Sequence, residues 1–102
     1  MAKFDWDPNK ERNNVEKHGI DFLTALELWS GDYLELETRP GNDDSRNLVI
    51  GEVGGWVWTA VITHRGDTIR IISVRRARDY EREALNEYRK RRHGDGSDGG
   101  GD

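Results

Sequence analysis

The sequence predicts an α+β domain with two N-terminal helices, an antiparallel sheet of about four strands, a C-terminal helix and a disordered tail. Three observations predict it. Capping residues and apolar spacing are helical between residues 7 and 30. From Tyr33 to Val74 the helical period gives way to strand-like runs, with apolar residues alternating at Leu34 and Leu36 and along Trp56–Thr63, separated by turn-forming residues. After Asp79 the helical spacing returns and runs out into glycine and aspartate. A chain of 102 residues that is 33% hydrophobic has room for one domain, read as residues 1–93, followed by a disordered acidic Gly-rich tail, residues 94–102. With no cysteine there is no disulfide framework, and the three histidines have no close pairing, so no metal site and no cofactor are expected. No stretch has the length and apolarity of a bilayer span or a secretory leader, and the expectation is a cytoplasmic protein.

Phe4 and Trp6 alternate with charged neighbours as in a short edge strand. Asp7 as a cap and Pro8 in the first turn open a helix that Gly19 closes, so the spacing predicts helix over Pro8–His18. It is almost wholly polar, with Val15 its main apolar residue, and is expected to lie across the surface. Asp21 caps a second helix with Phe22, Ala25, Leu26 and Trp29 on one face and Leu23 and Leu28 widening it. Strands follow at Tyr33–Glu37, Asn47–Val53, Trp56–Thr63 and from Thr68. Arg39–Ser45 is the longest internal loop, and Gly54-Gly55 is a two-residue hairpin turn. Trp56 and Trp58 share a strand face; stacking on RNA bases is open to them, but a core role is the better reading in so small a domain. In the last helix Tyr80, Ala84, Leu85 and Tyr88 form the face expected to dock on the sheet.

Charge is distributed unevenly. Residues 1–63 hold 6 basic and 12 acidic side chains, residues 64–93 hold 10 and 5, and the tail adds three aspartates, within a total of -4. The basic third contains Thr68–Arg78, TIRIISVRRAR, in which a strand apolar on both faces carries Arg70 and ends in Arg75, Arg76 and Arg78. A guanidinium in a covered strand needs a carboxylate, phosphate or carbonyl partner, and arginines at a strand end fit phosphate oxygens. Ion pairing with local carboxylates is the competing reading for each of them. Strand parity sends Arg70 and Arg75 to opposite faces. Lys17 and His18 end the first helix, where they either cap free carbonyls or serve a site.

Taken in order, Trp6-Asp7-Pro8 with Lys10 and Asn14, Lys17-His18-Gly19-Ile20, Phe22 and Ala25, Arg46 with Gly51, Arg65-Gly66-Asp67, and Ile69–Ser73 through Arg75, Ala77 and Glu81 resemble the BrnT family. These are ribonuclease toxins of bacterial type II toxin-antitoxin pairs. The resemblance runs from residue 4 to about residue 90. It implies a RelE-like fold, RNA cleavage without metal, and inhibition of translation. It also implies neutralisation by a BrnA-type antitoxin with a ribbon-helix-helix part, in a 2:2 complex that reaches operator DNA only through the antitoxin. Arg78 stands where the family has a small hydroxyl cap, so Asp79 is the expected cap.

RNA cleavage by the neighbouring 2'-hydroxyl needs a base, cations on the phosphorus centre and an acid for the leaving oxygen. The candidate catalytic residues are His18, Arg65, Arg70, Arg75, Lys17 and Glu81, with His18 and either Arg65 or Arg70 acting on one phosphodiester. His64 is the other imidazole that could exchange protons. Arg46, Arg76, Arg78 and His64 are the candidate RNA contacts. The alternatives are a non-catalytic nucleic-acid binding module and an antitoxin-binding co-repressor module.

Overall fold

In the computed structural model, which describes residues 3–38 and 46–97, Asp7 ends one element and starts the next. Strand β1 (Lys3–Trp6) passes into helix α1 (Pro8–His18) as the Asp7 carboxylate accepts the Asn9 N–H at 2.8 Å. The helix stops where the Gly19 N–H reaches the Val15 carbonyl. Val15 is 45% exposed, so no apolar face holds α1 down. A polar side chain does. Asn14 is buried, donates to the Ile20 carbonyl at 3.0 Å and accepts the Val74 N–H at 2.9 Å. Glu11 adds a second tie, accepting from the Trp6 indole and the Phe22 N–H.

The second helix is shorter than its pattern predicts. α2 (Phe22–Ala25) is capped by Asp21 and tightens into a 3-10 segment, Leu26–Ser30. Burial follows the tighter turn: Phe22, Ala25 and Leu28 are buried at a repeat of three, while Leu26 and Trp29 are half-buried and Leu23 is exposed. The segment packs tightly on the sheet at Gly51, where an added Cβ would lie 3.0 Å from Leu28 Cδ2. A side chain there would require Leu28 to give way by a few tenths of an ångström.

Strands β2 (Leu34–Glu37), β3 (Asn47–Val53), β4 (Trp56–Arg65) and β5 (Thr68–Arg76) complete a sheet of order β1-β5-β4-β3-β2. The expected sheet of about four antiparallel strands is therefore a mixed sheet of five, because β1 pairs parallel to β5. Sequence alternation marks a strand without giving its direction. The Gly54-Gly55 turn is as expected, with φ of 62° and 86° closing a two-residue hairpin between Val53 and Trp56. The loop expected to be the longest, Arg39–Ser45, lies outside the described residues.

One face of the sheet meets α2 and the 3-10 segment around Val49, Trp58, Ala60, Ile62, Ile69, Ile71 and Val74. The other meets α3 (Asp79–Ser97), where Ile50, Thr59, Glu81 and Leu85 are buried. The docking face of α3 is centred on Glu81 and Leu85 rather than Tyr80, which is exposed. Asp79 is not the cap. The Arg78 carbonyl accepts the N–H groups of Glu81 and Arg82, and the Glu81 carboxylate accepts the Arg78 N–H, half of a capping box. The helix reaches into the stretch read as tail, of which residues 98–102 lie outside those described. Among the described residues no helix is long and apolar enough to cross a membrane.

Candidate active site between the first helix and a bulged strand

β5 changes register midway. Val61 of β4 stands opposite Ser73, but Ile62 stands opposite Ile71, so Ile72 is an extra residue on β5, a β-bulge. The bulge reverses the parity that the sequence implies. Arg70 is opposite Thr63 and Arg75 opposite Thr59, four residues apart on an unbroken strand, so the two arginines share the α3 face with Ser73 between them. The expectation of opposite faces is corrected by that one residue.

β1 covers β5 only from Thr68 to Ile71. Beyond it the β5 edge is open, and α1 occupies it through the bond from the Val74 N–H to Asn14. The junction is a shallow pocket of about 270 Å³ lined by Lys10, Asn13, Asn14, Lys17 and His18 from α1 and by Ile72 and Ser73 from β5. Among the described residues no carboxylate lines it. Among the described residues Lys10, Lys17 and His18 take part in no ion pair.

The other expected site residues divide by what they already touch. Arg65, opposite Thr68, lies diagonally across the β4–β5 ladder from Arg70 on the same face, about 7–8 Å away in backbone terms. Arg70 has one carboxylate contact, 3.2 Å from Nη1 to Asp5, and the Asp5 side chain is 52% exposed. This is the carboxylate partner that a guanidinium in that strand requires. A solvated pair with one contact is worth at most about 1 kcal/mol, so a phosphate can displace it. Ser73, two rungs along the ladder, is roughly 7 Å from Arg70. Arg65, Arg70 and the pocket therefore form one row.

Arg75 and Glu81 are bonded to each other. Both guanidinium nitrogens Nη1 and Nη2 reach the Glu81 carboxylate at 2.8 Å, and the Thr59 hydroxyl and Arg78 N–H donate to the same group. Burial alone would push the Glu81 carboxyl up. The hydrogen bonds from Arg75, Arg78 and Thr59, with the Arg75 charge, outweigh burial and hold it at about 2. The same bonds raise Arg75 further. Arg76 lies over the Trp56 ring, Arg46 and Arg78 have exposed side chains, and His64 contacts Glu35 at 2.6 Å on the opposite face of the sheet. None of these four lines the pocket.

The site also contains residues outside the candidate set: Lys10, Asn13, Asn14, Ile72 and Ser73. Lys10, Asn13 and Asn14, and Lys17 recur at the spacing of one helical stripe, which is a legible signal. Ser73 has none, since its direction depends on the bulge. Among the described residues no three histidine, aspartate or glutamate side chains cluster as metal ligands.

A family model described as ribonuclease toxin, BrnT, of type II toxin-antitoxin system matches residues 6–81. The chain belongs to the BrnT family. The matched span contains both the pocket and the Arg75–Glu81 pair, from Trp6 to Glu81. Among solved structures, the crystal structure of the Brucella abortus ribonuclease toxin BrnT is similar, with a TM-score of 0.57 and 28% sequence identity. The similarity covers 78% of this chain and 100% of that one. A search of curated proteins finds no match. As a BrnT family member the protein is a type II ribonuclease toxin, and the system implies an antitoxin partner.

Proposed function

We propose that the pocket between α1 and the β5 bulge cleaves RNA by metal-independent transesterification, with His18, Lys17, Arg70 and Arg65 as its working groups. The observation that carries this reading is one pocket lined, among the described residues, by Lys10, Lys17 and His18 and by no carboxylate, beside an arginine with only a solvated partner. In the reaction the 2'-oxygen bonds to phosphorus, the P–O5' bond breaks, and the products are a 2',3'-cyclic phosphate and a free 5'-hydroxyl. The His18 imidazole takes the 2'-hydroxyl proton and hands it on to the departing 5'-oxygen, so the one proton lost at the nucleophile is the one gained by the leaving group. Arg70, Arg65 and Lys17 hold the negative oxygens of the five-coordinate phosphorus, where charge develops. The Ser73 hydroxyl orients a phosphate oxygen. Arg75 and Glu81 secure the start of α3 and stand outside the chemistry.

Residues 1–93 are the toxin domain in this reading. Unopposed cleavage of RNA inhibits translation, and a BrnA-type antitoxin with a ribbon-helix-helix dimer neutralises the toxin as a 2:2 complex. The test is incubation of the protein with single-stranded RNA in excess chelator, beside His18→Ala and Arg70→Ala variants checked for folding by circular dichroism. Cyclic phosphate ends from the parent and their loss in both variants are expected. Unchanged cleavage by a folded His18→Ala protein removes the histidine from the mechanism.

A further inference from the structure

Trp56 is, with Tyr80, one of two large aromatic side chains among the described residues that folding leaves exposed. It is 56% exposed, whereas Trp58, two residues on along the same strand face, is buried and donates from its indole nitrogen to the Val53 carbonyl at 3.2 Å. Burial of apolar surface accounts for Trp58 and not for Trp56. The position of Trp56 is nevertheless well determined. The two-residue Gly54-Gly55 turn sets the start of β4, and the Val53–Trp56 pair closes the hairpin. The Arg76 guanidinium carbon sits 3.8 Å from the Trp56 ring centroid and 5.6 Å from that of Trp58. Arg76 has no carboxylate partner among the described residues. A flat ring is thus held in place beside an uncompensated cation at the end of β5.

We propose that Trp56 and Arg76 form a stacking platform for one unpaired RNA base, outside the cleavage pocket. The inference rests on the ribonuclease reading above and extends it to a substrate contact. An indole face accepts any base by stacking, and the adjacent guanidinium supplies charge for the neighbouring phosphate. Arg76 is three residues past Ser73, about 10 Å along the strand, on the opposite face of the sheet. The platform and the pocket lie on opposite faces of the sheet, so contact with both calls for a flexible single strand rather than a stiff duplex. The platform therefore contributes to binding of single-stranded RNA and leaves the chemical step alone. RNA is favoured over a protein occupant because the exposed ring carries Arg76, a cation with no carboxylate partner among the described residues, and the exposed Arg78 follows just past the end of β5.

The experiment uses the full chain and a uracil-containing single-stranded hexamer with 2'-O-methyl groups, which cannot be cleaved, beside its abasic counterpart. Affinity for both is measured at one fixed salt concentration. Trp56→Ala is expected to weaken the base-bearing hexamer about tenfold and leave the abasic one unchanged, with Trp56→Phe retaining most of the affinity. On cleavable RNA, Trp56→Ala raises KM and leaves kcat unaltered. Equal affinity of Trp56→Ala and parent for both hexamers overturns the platform alone, as does an equal loss on both. If Trp56→Ala loses antitoxin binding while RNA binding stands, the surface belongs to the protein partner and the proposal fails. Absence of binding by the parent to either hexamer overturns the platform together with the ribonuclease reading.

Discussion

Arg70 and Arg75 leave the same strand on the same side and have opposite fates. Arg75 meets a fully buried carboxylate that receives four hydrogen bonds. Arg70 meets Asp5 through one contact in a solvated setting. The difference teaches that a cation's availability depends on the burial of its partner more than on its own position. A desolvated, fully bonded pair cannot be opened by a substrate without stranding a buried charge, whereas a solvated pair exchanges partners at little cost. His18 and Lys17 belong with Arg70 on the available side.

The sharpest test of that contrast is catalytic. Arg70→Ala is expected to lower RNA cleavage by about 10²–10³ while stability changes by no more than about 0.5 kcal/mol. Retained cleavage would erase the distinction between the two arginines. Arg75→Ala should do the reverse, destabilising the fold by about 3 kcal/mol in urea denaturation because Glu81 is left buried and short of its cation. A loss below 1 kcal/mol would show that the pair is not the lock described.

The same lock has a pH signature. Glu81 is held at about 2 against an ordinary value of 4.5, so its folded value is depressed. Its contribution is complete above about 4.5 and is lost as pH falls from there towards about 2. Denaturation followed across that range should show stability declining in the parent and a flatter profile in Glu81→Gln. A parent profile as flat as the variant's would count against the buried pair.

Smaller effects mark the ends of the comparison. Asn14→Ala strands the Val74 N–H at the open β5 edge and is expected to cost about 2 kcal/mol, loosening α1 and lowering cleavage through the displaced pocket. Asp5→Asn should change stability by less than about 1 kcal/mol and leave cleavage equal or higher, since Arg70 is freed for phosphate. A marked drop in cleavage would mean that Asp5 positions Arg70 rather than merely neighbouring it.

Local chemistry made much of this molecule legible in advance. The limits of α1 follow from Asp7, Pro8 and Gly19, and the β3–β4 turn from Gly54-Gly55, because caps and tight turns are settled by the residues that form them. The order of short motifs was enough to indicate the BrnT family, and Lys17 and His18 were already candidates. Pairing was not legible. The parallel partner of β5, the bulge at Ile72 and the shared face of Arg70 and Arg75 are properties of two strands together, so no single-strand alternation discloses them. The two tryptophans show the same limit. Identical in type and parity, Trp56 and Trp58 separate only because the sheet has an end, where burial stops and a ring is left to solvent. The sequence by itself determined where helices and turns begin, since those depend on neighbours along the chain. Only the tertiary structure decided which charges are neutralised and which remain free, since that depends on partners far apart in the chain, Asp5 for Arg70 and the buried Glu81 for Arg75.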